Sequence, residues 1–167
     1  MDLKRTLREG DRPVGGWCSL PSPGVAEAMA TAAFDFLTVD TEHSPATTES
    51  VENMLRAVEA APGDTETLVR TADVDPARIK RILDAGPAGI MAPQIHPPAD
   101  AREFVEACRY PPQADDDDTD ADPADERRVD ADGYRGQRGV AGSRASAYGR
   151  RLGEYLRHES DEIAVIA

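Results

Sequence analysis

The sequence predicts an α/β domain with a parallel sheet, and the prediction rests on two observations. Segments typical of buried strands alternate four times with segments typical of amphipathic helices, and the connections between them are short. Such alternation produces right-handed βαβ units and therefore parallel strands. The order suits either an open doubly wound sheet or a (β/α) barrel. Gly15-Gly16 does not supply the glycine-rich nucleotide fingerprint of the open sheet, so we favour the barrel.

The individual elements follow from local composition. Strands are predicted where β-branched and aromatic residues lie between turn-forming residues: 14–20, 34–39, 65–71, 88–95 and 162–167. Helices are predicted where apolar residues recur on one face: 2–10, 25–33, a segment capped by Thr47 or Thr48, a segment between Asp75 and Gly86, 100–110 and 148–157. Natural barrels run to roughly 250 residues. The 167-residue sequence is therefore expected to be a partial barrel, cut off after roughly its first five strands with their helices.

Composition and charge narrow the class of protein. With 167 residues the sequence is long enough for one domain with a sizeable core. Its formal net charge of −13 argues against binding to nucleic acid or to an anionic membrane surface. It contains neither an apolar run long enough to span a membrane nor the apolar core of a signal peptide. Cys18 and Cys108 are too few for a disulfide framework or a zinc site, so we expect a cytoplasmic protein.

The type of charge is also informative. Lys4 and Lys80 are the two lysines, and all other cationic side chains except histidine are arginine, while Asp is abundant. A highly acidic surface suits proteins dissolved in concentrated salt, because screening removes much of the self-repulsion. We therefore expect a salt-loving, halophilic source.

One segment, 113–132, interrupts the alternation of strands and helices. It holds nine Asp and one Glu against two Arg, a net charge of −8, and Val129 is its sole aliphatic residue larger than Ala. Such a segment cannot bury an apolar face, so we predict a solvated, disordered insertion within a single domain spanning 1–167. Flexible acidic runs bind cations weakly and without defined geometry, which argues against a metal site there.

The predicted second strand leads directly into acidic and basic side chains. Asp40, Glu42 and His43 follow the apolar run 34–39, and α/β proteins keep their chemistry at the carboxyl ends of parallel strands. His43 is a candidate general base because an unperturbed imidazole titrates near neutrality. The two carboxylates are candidates for binding this imidazole or for holding water around a metal ion. The alternative is an ordinary surface loop.

Two further residues end neighbouring strands and are expected at the same rim. Arg70 ends the third predicted strand, where a guanidinium binds a carboxylate through two parallel hydrogen bonds and stabilises a developing enolate. The alternative for Arg70 is a surface ion pair. His96 follows the fourth predicted strand. A metal site formed by Asp40, Glu42, His43 and His96 is conceivable, although their spacing is not diagnostic.

Several short motifs occur in an order that resembles the HpcH/HpaI family of metal-dependent class II pyruvate aldolases. They are Gly16-Trp17, Ala33-Phe34-Asp35, Asp40-Thr41-Glu42-His43-Ser44-Pro45, Val69-Arg70, Leu83-Asp84-Ala85-Gly86, Arg109-Tyr110-Pro111-Pro112, Arg138-Gly139-Val140 and Tyr148-Gly149. The resemblance covers nearly the whole sequence except 113–132. Each motif alone is weak, and the specificity lies in their order.

The resemblance implies a (β/α)8 TIM barrel that reversibly cleaves a 4-hydroxy-2-oxo acid to pyruvate and an aldehyde. It also implies a divalent ion, Mg, Mn or Co, that acts as a Lewis acid. His43 corresponds to the base, Arg70 to the residue that stabilises the transition state, and Asp84 to a residue that raises the basicity of the histidine. Asp84 ends a predicted helix, away from the active rim, so its role implies a neighbouring subunit and a homo-oligomer.

The resemblance also implies that the ligands of the divalent ion are missing from this sequence. The family's metal ligands correspond to positions beyond Ala167, so we expect the 167-residue form to be inactive or weakened. Two alternatives remain open. One is a non-catalytic barrel fragment that associates with another chain, and the other is a carbon–carbon lyase similar to the citrate-lyase β subunit that acts on a thioester. The expected partners are small molecules, a 2-oxo acid and an aldehyde.

Overall fold

The computed structural model describes residues 2–111, 133–156 and 163–167. The described part contains a parallel five-stranded sheet, with strands β1 (Gly15–Cys18), β2 (Phe36–Asp40), β3 (Glu66–Arg70), β4 (Gly89–Met91) and β5 (Ala164–Ile166). Its helices are α1 (Leu3–Arg8), α2 (Pro23–Ala30), α3 (Thr48–Ala60), α4 (Pro76–Asp84), α5 (Pro98–Cys108) and α6 (Leu152–Glu154). The acidic segment 113–132 lies outside the described residues, and its predicted disorder stays a prediction.

The order of the strands distinguishes the two predicted architectures. Each strand pairs in parallel with the next one along the chain, in the order β1-β2-β3-β4-β5. A doubly wound sheet reverses its strand order at a switch point, whereas a barrel adds strands in sequence. The fold is therefore a partial (β/α)8 barrel, as predicted from the alternation of strands and helices.

The sheet has two different faces. The outer face packs against the helices through the main apolar core, in which Leu37, Val39, Val69 and Ile90 are completely buried. The inner face carries a smaller apolar cluster, in which Leu3 from α1 packs against residues of β3 and β5. Because side chains alternate along a strand, residues next to those of the outer face point into the barrel interior.

The start of α3 and both ends of α4 lie where the sequence predicts them. The hydroxyl of Thr47 accepts a hydrogen bond from the N–H of Ser50, and Ser50 reciprocates, which forms a capping box for α3. Asp75 caps α4 by accepting hydrogen bonds from two backbone N–H groups. Gly86, with φ of +82°, lies just beyond the end of α4 in the left-handed conformation that glycine adopts without a steric penalty. No helix within the described ranges is long and apolar enough to cross a membrane.

The fourth strand and the last predicted helix are much shorter than expected. The fourth strand was predicted to span 88–95 and covers Gly89–Met91, because Pro93 cannot donate a ladder hydrogen bond and Gln94 is left-handed, with φ of +49°. The helix predicted at 148–157 is reduced to Leu152–Glu154 within the described residues. Ala147 and Tyr148 have φ of +52° and +55°, so the chain turns there and cannot continue as a right-handed helix.

Candidate active site

The candidate site forms where β2 and β3 end side by side. Asp40 and Arg70 are the last residues of the two strands and are direct partners in the parallel register. Both therefore emerge at the carboxyl edge of the sheet, on its inner face. Thr41 continues the contact, because its N–H and its hydroxyl both donate to the carbonyl of Arg70, at 3.0 and 2.7 Å. The strand register itself brings the acidic and basic side chains together.

Arg70 is held by two carboxylates. Its Nε donates to Asp40 Oδ1 at 2.9 Å and its Nη2 donates to Asp40 Oδ2 at 2.8 Å, which is the two-pronged geometry that carboxylates and guanidinium groups favour. Its Nη1 lies 2.6 Å from Glu42 Oε2. The two hydrogen bonds to Asp40 use the N–H of Nε and one N–H of Nη2, and Glu42 lies against Nη1 as an ion pair. At least one N–H on Nη1 and one on Nη2 therefore remain for a further acceptor.

The Asp40 carboxylate is almost completely buried. Its oxygens accept further hydrogen bonds from the Ser19 hydroxyl, at 3.2 Å, and from the backbone N–H groups of Glu42 and His43, at 3.0 and 3.4 Å. Burial by itself raises the pKa of the Asp40 carboxyl, but the hydrogen bonds from Arg70 and from these N–H groups outweigh it. The pKa of Asp40 therefore lies well below its ordinary value.

Trp17 covers one face of the guanidinium. The Arg70 Cζ lies 4.8 Å from the centre of the indole ring, within the range of a cation–π contact. Trp17 is 48% exposed because it points from β1 toward the open inner side of the sheet. Arg70 is thereby fixed in two directions, by carboxylates in its own plane and by a ring against its face.

His43 lies at the same edge and is connected to Arg70 through Glu42. The imidazole Nε2 is 3.6 Å from Glu42 Oε1, while the other oxygen of Glu42 contacts Arg70. The His43 side chain is 73% exposed, whereas the Glu42 side chain is 9% exposed. An accessible imidazole and a partly open guanidinium therefore face one carboxylate, an arrangement suited to moving a proton beside a bound anion.

The other two candidate residues are not part of this cluster. Asp84 is the last residue of α4 and lies on the side of the sheet where the strands begin, opposite the candidate site. Its Oδ1 lies 3.1 Å from Nη2 of Arg138. His96 is exposed in the connection between β4 and α5. Within the described residues the structure therefore brings together Asp40, Glu42, His43 and Arg70, and places Asp84 apart from them.

The described residues do not fit a metal ion. No group of three or more His, Cys, Asp or Glu side chains in 2–111, 133–156 and 163–167 has the arrangement of a metal site. Both oxygens of Asp40 already accept hydrogen bonds, from Arg70, Ser19 and backbone N–H groups. The two oxygens of Glu42 already contact Arg70 and Gln94. The conceivable metal site that includes His96 is therefore not formed by these residues.

Three residues of the cluster were not predicted from the sequence. Ser19 contacts Asp40, Trp17 stacks on Arg70, and Gln94 Nε2 donates to Glu42 Oε1 at 2.9 Å. Gln94 follows the fourth strand, so its position in the sequence is a usable signal of the same kind that indicated Arg70. The alternation of β1 places Trp17 on the inner face, but composition alone does not show which face points inward.

Comparisons with known proteins identify the family of this chain. The family model described as HpcH/HpaI aldolase/citrate lyase matches residues 14–126. The pyruvate aldolase of Rhizobium etli is 44% identical over 110 residues, which are 66% of this chain and 42% of that protein. The hydroxypyruvate/pyruvate aldolase of Paraburkholderia phytofirmans is 36% identical over 165 residues, 98% of this chain and 56% of that protein.

A solved structure extends the comparison to the fold. An HpcH/HpaI aldolase/citrate lyase family protein from Burkholderia cenocepacia superposes with a TM-score of 0.82 and 38% identity, covering 98% of this chain and 57% of that one. The chain spans about half the length of the curated relatives it matches. The match to the family model, together with a shared parallel barrel and the predicted order of motifs, shows that this chain belongs to the HpcH/HpaI aldolase/citrate lyase family.

Proposed function

We propose that the whole protein is a class II aldolase that reversibly cleaves a 4-hydroxy-2-oxo acid to pyruvate and an aldehyde. The observation that carries the proposal is the Arg70 guanidinium, fixed by Asp40 and Glu42 with two N–H bonds left over, beside the accessible imidazole of His43. Two similar proteins are named as pyruvate or hydroxypyruvate/pyruvate aldolases, which supports this class of reaction.

Arg70 has the role of stabilising negative charge. Its two remaining N–H bonds bind the oxygens of the 2-oxo acid, and their contact strengthens as the keto oxygen becomes an enolate. The Asp40 pair keeps the guanidinium in one orientation, so little reorganisation accompanies the reaction. One side of the Arg70 guanidinium thus pairs with Asp40, and the other side binds the substrate.

His43 has the role of the base. In the cleavage direction its imidazole accepts the proton of the C4 hydroxyl, the C3–C4 bond breaks, and the bonding electrons pass into the pyruvate enolate while the aldehyde leaves. Return of the proton to C3 gives pyruvate. The exposed imidazole is accessible to a substrate held by Arg70.

The proposed divalent ion, Mg, Mn or Co, supplies Lewis-acid chemistry when bound. Because the described side chains do not fit such an ion, we propose that its ligands lie elsewhere in the whole protein. Metal affinity measured on the 167-residue chain tests this. Tight stoichiometric binding of Mn²⁺ by this chain would contradict it.

Asp84 is proposed to raise the basicity of His43 from a neighbouring subunit, because within one chain it lies at the opposite edge of the sheet and pairs with Arg138. The proposal requires a homo-oligomer. We expect Asp84→Asn to lower kcat in an oligomeric preparation. An unchanged kcat would remove Asp84 from the reaction.

The proposed base is tested by a matched pair of substitutions. We expect His43→Ala to lower kcat for cleavage of a 4-hydroxy-2-oxo acid by about 10²- to 10⁴-fold, the usual contribution of a general base. His96→Ala is the control, because His96 is also an exposed histidine after a strand and lies outside the cluster. Turnover that survives His43→Ala would remove the assigned base.

A second candidate function is cleavage of a thioester substrate, since the matching family also includes citrate lyases. Assaying the protein against a free 4-hydroxy-2-oxo acid and against a 3-hydroxy thioester distinguishes the two. Faster turnover of the thioester would replace the aldolase proposal.

A third candidate is a non-catalytic half barrel that associates with another chain. Among the described strands, β1 and β5 each pair with one neighbour, so each leaves one edge of the sheet unpaired. Light scattering after gel filtration tests it, and a well-folded monomer would count against it.

The proposed setting is the cytoplasm of a halophilic cell, which the net charge of −13 supports. A melting temperature that rises between low and molar KCl is expected. A melting temperature that does not rise would contradict the halophilic origin.

A further inference from the structure

Glu42 is held at both of its oxygens, and one holder is a residue to which the proposed function gives no role. Oε2 lies 2.6 Å from Arg70 Nη1, and Oε1 accepts from Gln94 Nε2 at 2.9 Å. A carboxylate fixed at both ends cannot rotate without losing one of these contacts. Because the contacts come from β3 and from the connection after β4, Glu42 ties together three neighbouring strand ends.

The backbone of Gln94 is in an unfavourable conformation for its residue type. Its φ of +49° lies in the left-handed region, which glycine and asparagine adopt more readily than glutamine. Left-handed residues of other types persist where their surroundings hold them, and they are concentrated at functional sites. At this position the left-handed turn accompanies a side chain that reaches back across β3 to Glu42.

We propose that Gln94 is a positioning residue that fixes Glu42 between Arg70 and His43, and thereby sets the orientation of the two Arg70 N–H bonds that bind the substrate. This proposal rests on the aldolase function proposed above. The physical reason is that Glu42 is the one contact of Arg70 Nη1 shown by the described residues, while Asp40 holds Nε and Nη2. Loss of the Gln94 amide frees Glu42 to turn and lets the guanidinium tilt about its Asp40 pair.

The substitutions that test the proposal separate the amide from the backbone strain. Gln94→Met keeps the length of the side chain and removes its N–H donors. Gln94→Gly removes the donors and also relieves the left-handed strain, so it folds at least as readily. Gln137→Met is the matched control, because Gln137 Nε2 contacts Glu106 Oε2 at 3.4 Å and lies outside the cluster.

The kinetic readout is the separation of kcat from KM for cleavage of a 4-hydroxy-2-oxo acid. We expect Gln94→Met and Gln94→Gly to lower kcat by about 10-fold, with KM within about twofold, because a misplaced guanidinium chiefly loses transition-state contact. Gln137→Met should match the wild type. Wild-type kcat in both Gln94 variants would overturn the proposal, as would a rise in KM with unchanged kcat.

A second readout does not depend on activity. Trp17 is the single tryptophan of the sequence and stacks on Arg70, so its fluorescence and near-ultraviolet circular dichroism report the position of the guanidinium. We expect both signals to change in the two Gln94 variants and not in Gln137→Met. If the whole wild-type protein has no aldolase activity, the proposed function fails, and these signals alone decide the role of Gln94. Unchanged Trp17 signals would then overturn it.

Discussion

Two arginines of this protein make similar ion pairs at opposite ends of the parallel strands, and the surroundings of the two guanidinium groups differ. Arg70 pairs with Asp40 and Glu42 and stacks on Trp17, and its side chain is 19% exposed. Arg138 pairs with Asp84, its Cζ lies 4.6 and 5.4 Å from the ring centres of Tyr110 and Tyr155, and its side chain is completely buried.

The difference lies in what remains for a third molecule. Arg70 keeps two N–H bonds beside the open inner face of the sheet. The Nε and Nη1 of Arg138 are sealed inside the protein and have no hydrogen-bond partner among the described residues. The guanidinium of Arg70 is therefore accessible to a ligand at the carboxyl ends of the strands. The guanidinium of Arg138, at the opposite end, instead connects the segment 133–156 to the end of α4. Accessibility, rather than the presence of an ion pair, separates a candidate site from a structural contact.

The largest expected effect is on activity. Arg70→Lys replaces a planar fork by a single ammonium group, which cannot hold Asp40 in two places and bind substrate in the same plane. We expect kcat for retro-aldol cleavage to fall by about 10² to 10³-fold, as for loss of an oxyanion-stabilising donor. Steady-state kinetics measures this, and activity within tenfold of the wild type would place Arg70 outside the reaction.

The next effect is on stability and concerns Arg138. We expect Arg138→Met to lower the free energy of unfolding by about 3 kcal/mol, because breaking a buried pair leaves a charge behind, although Asp84 keeps some access to water. Arg70→Met should cost a similar amount, about 3 kcal/mol, because it leaves the buried carboxylates of Asp40 and Glu42 without their cation. Urea denaturation measures both. A loss below about 1 kcal/mol in Arg70→Met would show that this pairing does not stabilise the fold.

A smaller effect concerns Asp40, the buried partner of Arg70, whose contribution to the free energy of unfolding depends on pH. The folded-state pKa of Asp40 is lowered, so its contribution to stability is fully present above its ordinary pKa of 3.8 and is lost as the pH falls below that value. We expect Asp40→Asn to cost about 2 kcal/mol at neutral pH, the value of hydrogen bonds to a charged group. Its unfolding free energy should then fall less than that of the wild type on acidification to about pH 3. Parallel pH profiles would contradict the assignment.

The smallest predicted effect has the opposite sign. The Tyr110 hydroxyl is buried without a hydrogen-bond partner in the described part of the chain, so Tyr110→Phe should leave stability unchanged or raise it by about 1 kcal/mol. The ring still covers Arg138. Thermal unfolding of the two proteins measures this, and a loss of more than about 1 kcal/mol would reveal a partner for the hydroxyl.

The same tyrosine gives a spectroscopic check. Burial raises the pKa of Tyr110 from 10.0 to about 12, an effect that the nearby Arg138 opposes. A raised pKa stabilises the fold below pH 10 and this contribution disappears as the pH rises through about 12. Alkaline ultraviolet titration should therefore lose a tyrosine step near pH 12 in Tyr110→Phe.

Local patterns were sufficient to predict most of the fold. A continuous apolar run located β2, the hydroxyl of Thr47 located the start of α3, and Gly86 located the end of α4. Where prediction failed, the cause was backbone conformation that composition does not reveal. Gln94 adopts a positive φ and shortens β4, and Ala147 does the same before α6.

The site was predictable to the extent that it follows strand ends. Asp40 and Arg70 were recognisable because each ends an apolar strand, and parallel register then makes them partners. The pairing of Asp84 with Arg138 was not predictable, because it joins positions 54 residues apart and Arg138 lies outside the helices and strands. The sequence alone does not distinguish Arg70 from Arg138, because the difference between them is the burial of the side chain.

The direct pairing of Asp40 with Arg70 limits how this sequence can change in length. The connection between α3 and β3 lies on the surface and can gain or lose residues without altering the chemistry. An insertion of one residue inside Glu66–Arg70 would turn every later side chain of that strand to the opposite side, which would bury the guanidinium among the helices. Tolerance to insertion should therefore end abruptly at Glu66.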